Sequence, residues 1–249
     1  MANREYDLRT FARRAANNGA LLEEYAQQKG MQLTPAKGKK PTKDELADLF
    51  CVAFQGLSED KRDQISKETL DIYELACPAG FSLLLVVATS KAAELPADME
   101  DWNNCGKVLW FFMNRHEIFQ EAFGWFEIES RNGWRDALNL KRVPISATIG
   151  KEASLAKQIS EYYVRRHFIG RNCVAEHKEL GDRVCFRVLV EGQAKDEEIF
   201  KGGKVTTTGI IKPADEVIFM YYPDEGRLRT KADGGKDEVR VLRDIFREH

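Results

Sequence analysis

Glu176-His177-Lys178 is the first stretch of the chain whose residue types and spacing carry a recognisable chemistry. On a strand, Glu176 and Lys178 fall on one face. A carboxylate and a lysine two residues apart are half of a metal-dependent nuclease pattern, in which acids hold Mg²⁺ and the lysine positions the attacking water. The pattern also needs an Asp on a preceding neighbouring strand. Here a helical segment precedes, and Pro223-Asp224 comes afterwards in a turn. A solvated strand face accounts for Glu176 and Lys178 more simply, so a nuclease or phosphate-handling enzyme stays the alternative and no catalytic residue is assigned.

Other groupings fall short in comparable ways. Cys173, His177 and Cys185 can meet across one hairpin, but a closed zinc site requires a fourth ligand that the sequence does not offer. His116, Glu117 and Glu121 cluster on a helix without a nucleophile elbow nearby. Gly202-Gly203-Lys204 and Gly234-Gly235-Lys236 lack the spacing of a phosphate-binding loop and read as turn glycines. No metal and no cofactor is therefore expected.

Two features remain as candidate binding elements. Lys37, Lys39 and Lys40, with Lys43 following, lie in a Pro/Gly-interrupted basic segment able to touch phosphate or an acidic partner. Trp110-Phe111-Phe112, Phe123-Gly124-Trp125-Phe126 and Trp134 concentrate more aromatic surface than one helix face can bury. Trp125, Phe126 and Trp134 are the candidate docking residues, since large aromatics anchor interfaces. Gly124 is expected to end a helix, which would expose Trp125, whereas Trp134 is expected to be buried.

The elements that would position these residues divide the chain. Apolar spacing predicts a helix over about 6–29, weakened at Asn17-Asn18-Gly19, then a second opened by Thr42 and Glu45 and stopped by Gly56. Further helices follow from Ser58, after Pro78 (where the apolar run Phe81–Ala88 fits a buried helix first and a buried strand as the alternative), through Val108–Phe112, and from an Asn114 cap. After Val143-Pro144-Ile145-Ser146 comes one more helix, from about Lys151 to His167. Then the period shortens to two. Asn172–Lys178 and Arg183–Val190 form a hairpin, Lys204–Thr208, Glu216–Tyr222 and Arg227–Ala232 are further strands, and Val239, Leu242 and Phe246 mark a final helix.

The expected fold is thus α+β: an all-helical domain over 1–140, a linker and connecting helix over 141–171, and a small antiparallel sheet domain with flanking helices over 172–249. The final helix stops at Arg247-Glu248-His249 without a cap, which reads as a piece of a longer chain. The charge balance is even, 38 Lys+Arg against 40 Asp+Glu, so no global attraction to a polyanion is built in. The polar N-terminus carries no leader pattern, no apolar run is long enough for a membrane span, and the 5 cysteines are scattered without C-x-x-C spacing. These features point to a cytoplasmic, bacterial-type setting and to a non-enzymatic interaction or regulatory module. A partner protein comes first, nucleic acid through residues 37–43 is the alternative, and no membrane contact is expected.

Overall fold

A computed structural model of the chain describes residues 6–34 and 41–248. It is α+β, with helices in the first part and antiparallel sheet in the second. The chain divides into two compact units, Met1–Ser130 and Arg131–His249. The division falls ten residues before the boundary expected at 140 because Arg135–Ala137 is a strand (β1) of the second unit's sheet. Three residues with two exposed side chains carry too little apolar pattern to read as a strand.

The first unit contains α1 (Leu8–Ala15), α2 (Gly19–Gln28), α3 (Lys43–Gln55), α4 (Glu59–Leu75), α5 (Pro78–Ser90), α6 (Asn104–Asn114) and α7 (His116–Glu129). A single turn of 3₁₀ helix, Ala16–Asn18, separates α1 from α2 at the Asn-Asn-Gly step. Thr42 and Glu45 form the reciprocal capping box at the start of α3. Pro78 occupies the first turn of α5, where its missing N–H costs nothing. No single helix among the described residues is long and apolar enough to cross a membrane. α4 and α5 pass together on composition but meet at 93°.

Two expectations for this unit are corrected. Asn114 is the last residue of α6 and donates its amide to the Trp110 carbonyl, while Arg115 stands at the N-cap of α7. Gly124 does not end a helix: α7 runs through it to Glu129. A glycine weakens a helix interior by only about 1 kcal/mol, which the buried Ile118, Phe119, Ala122, Trp125 and Phe126 outweigh.

The second unit is a five-stranded antiparallel sheet in the order β1-β7-β6-β3-β2. Its remaining strands are β2 (Cys173–Leu180), β3 (Arg183–Glu191), β6 (Ala214–Tyr222) and β7 (Arg227–Lys231). Helices α8 (Glu152–His167) and α9 (Lys236–Arg247) supply Leu155, Ile159, Tyr163, Leu242 and Phe246 to a core shared with Val184, Phe186, Val188, Phe219 and Leu228. The helix read as a connector is therefore part of this unit's own core. Between β3 and β6 the chain makes a separate hairpin of β4 (Glu198–Lys201) and β5 (Lys204–Thr207), which among the described residues pair only with each other.

Candidate functional site

The sheet face opposite the helices collects the polar candidates. Glu176 and Lys178 do share it, but Glu176 is held by Arg187 of the adjacent strand at 3.3 Å, and Arg187 also grips Glu216. Arg131 pairs with Glu216 as well. A guanidinium thus stands between the two carboxylates, where a nuclease would need them to converge on a divalent ion. Among the described residues no group of three or more His, Cys, Asp or Glu is placed to hold a metal.

The arginines on this side are balanced rather than displayed. The Arg229 Nε lies 3.3 Å from Asp136, and its guanidinium sits 4.8 Å from the Trp134 ring. Arg227 lies 2.8 Å from Glu225 and 4.1 Å over the Tyr222 ring. A face whose cations already have carboxylate partners has few to offer to a phosphate backbone.

His177 points the other way and brings its Nδ1 to 2.6 Å from Glu152, at the start of α8. Cys173 shares that side, whereas Cys185 is buried on the opposite face of the sheet, so the three do not converge. Glu121 is paired with Lys91 at 2.7 Å, and the His116 ring stacks on Phe119, so that cluster assembles no acid–base pair.

The aromatic candidates separate between the units. Trp125 has 0% of its surface exposed and Phe126 is buried, both inside the first unit. The expectation that Trp125 is exposed fails because α7 continues past Gly124 and turns the indole inward. Trp134 belongs to the second unit and is half-buried, against the full burial expected. A ladder of ring contacts, Tyr25–Phe112, Phe112–Phe119 and Phe119–Phe123 at 5.1–6.1 Å, uses much of the remaining aromatic surplus in packing. Lys37, Lys39 and Lys40 lie outside the described residues.

The surface that sequence reasoning missed is the β4–β5 hairpin. All eight of its strand residues are exposed. Phe200 stands directly opposite Val205, with the two side chains 80% and 56% exposed. Ile210, just beyond, is 82% exposed. Gly202 and Gly203 both have positive φ, as the tight two-residue turn of a hairpin requires. The turn sets Lys201 directly opposite Lys204, a like-charge pair with no acid in ion-pair range among the described residues. Below it the ladder is pinned by the Thr208 N–H donating to the Glu197 carbonyl at 2.8 Å and by the Lys195–Ile211 bridge. The Gly-Gly turn and the β-rich Lys204–Thr208 run were legible signals, while the acidic start of β4 hid its partner strand.

One cleft in the second unit, of about 480 Å³, has Leu155, Phe186, Tyr221 and Phe246 among its lining. Its lining includes a single carboxylate, Glu248, and no histidine, cysteine or serine. No protein-family model matches the chain, and no curated protein matches it in sequence.

Proposed function

We propose that the chain is a non-enzymatic protein-interaction module that engages a partner protein through the β4–β5 hairpin. The observation that carries this reading is the exposure of Phe200 and Val205, with Ile210 just beyond them, on a ladder that pairs with no other strand among the described residues. Clustered exposed apolar side chains on a folded chain mark interaction sites more often than they mark idle surface. The matching partner presents an apolar pocket for Phe200 with acidic residues at its rim for Lys201 and Lys204. The free thiols of Cys51, Cys77, Cys105 and Cys173 support a reducing, cytosolic setting for that encounter.

The test starts with a photoreactive side chain at position 205, cross-linked in the cells that make the protein. The partner captured there is purified and titrated with wild type and with Phe200→Ala. An anchoring ring is worth about 2 kcal/mol, so binding should weaken roughly thirtyfold. The melting temperature should not move, because Phe200 touches no core. Unchanged affinity in Phe200→Ala, or no cross-link at position 205, overturns the reading.

A further inference from the structure

β2 is the last strand of its sheet, and no strand pairs with its outer side among the described residues. Its turn, Gly181-Asp182, closes on the pair Leu180–Arg183, and in a two-residue hairpin the closing pair is the hydrogen-bonded one. Leu180, Lys178, Glu176 and Val174 therefore direct their main-chain groups toward β3. The Glu191 N–H donating to the Asn172 carbonyl at 2.8 Å continues that same alternation. Cys173, Ala175, His177 and Glu179 turn their N–H and C=O groups outward, which makes the edge from Cys173 to Glu179 ready to accept another strand.

We infer that this edge pairs with β2 of a second copy of the chain, antiparallel, about a twofold axis through His177. The occupant is fixed by the order of side chains around that residue. With His177 opposite its own copy, Glu176 of each chain stands opposite Lys178 of the other, and Val174 stands opposite Leu180. Shifting the register one step sets Glu176 against Glu176, and the opposite shift sets Lys178 against Lys178. Both are like-charge contacts on a face where the cross-strand neighbours are closest. Only the His177-centred register among these three meets charge with opposite charge twice. The two imidazoles at the axis keep the Glu152 carboxylates of their own chains. Two five-stranded sheets become one continuous sheet of twofold symmetry. The pairing is independent of the hairpin and of any partner bound there.

Sedimentation equilibrium of the full chain over about two decades of concentration tests this directly. Wild type should associate reversibly to a dimer. Lys178→Glu, which breaks no ion pair within the chain, places two like-charge contacts in the interface and should weaken the dimer roughly tenfold. Glu176→Lys should do the same, and the doubly exchanged variant, Glu176→Lys with Lys178→Glu, should regain the wild-type affinity. Melting curves check that each variant is folded. A wild-type chain that stays monomeric throughout overturns the inference. So do single variants that associate as well as wild type, or an exchange that restores nothing.

Discussion

Trp125 has no accessible surface, so removing its indole empties a volume that the surrounding helices fill only in part. Trp125→Ala should cost roughly 3–5 kcal/mol in the first unit. Urea unfolding followed by far-ultraviolet circular dichroism reads that loss, and affinity for a partner bound at Phe200 should be unaltered in the variant that remains folded. The contrast between these two aromatics explains what single residues disclose. Phe200 sits among charges, Glu198 and Lys201, where composition alone reads as ordinary surface. Trp125 sits among apolar neighbours, where burial and docking look alike until a helix boundary is fixed. That boundary turned on Gly124, whose small intrinsic cost says little against the packing of a whole face.

Asp7 shows how much a short element depends on its cap. It accepts from the Thr10 amide at 2.9 Å and from the Thr10 hydroxyl, and these bonds, the hydroxyl's foremost, hold its carboxyl below the usual range. The first turn of α1 then delivers Phe11 and Ala12 to the core. Asp7→Ala should lower stability by about 1 kcal/mol at neutral pH. A carboxyl whose pKa falls on folding stabilises above its unfolded value, and that contribution is lost as pH drops through the folded one. The difference between wild type and variant should therefore close in melts taken progressively below the ordinary carboxylate pKa. Caps of this kind are local, and so Thr42–Glu45 and Pro78 marked their helices in the sequence. The hairpins β2–β3 and β6–β7 were legible for a related reason, since turn residues and period-two apolar runs are adjacent. β1 was not, because its pairing with β7 joins residues nearly a hundred positions apart. Arg187 faces Glu176 across the legible β2–β3 hairpin, but its grip on Glu216 needs the pairing of β3 with β6, two strands that do not follow one another in the chain, and this hid the fate of the nuclease pattern.

The two units each carry a core drawn from their own residues. In the second, the core packs between α8, α9 and the sheet, with Leu140 and Ile145 adding at the margin. A chain beginning at Arg131 should therefore keep the sheet's circular-dichroism spectrum and a cooperative melt. A non-cooperative melt of that fragment would show that the first unit is needed for the second to fold. The β4–β5 hairpin belongs to this unit by sequence but draws little from its core. A ladder of four residue pairs is marginal in water when nothing packs against it, so it should sample open as well as closed forms, which hydrogen exchange at Phe200 and Val205 would read. Any partner that grips the closed form sees only that fraction of the molecules, and its apparent affinity is reduced in proportion. The size of this reduction is governed at Gly202-Gly203, where two glycines give the open chain its widest freedom. An asparagine at position 202 tolerates positive φ and narrows that freedom, so it would strengthen binding from a position outside the apolar contact, by raising the population rather than by adding a contact.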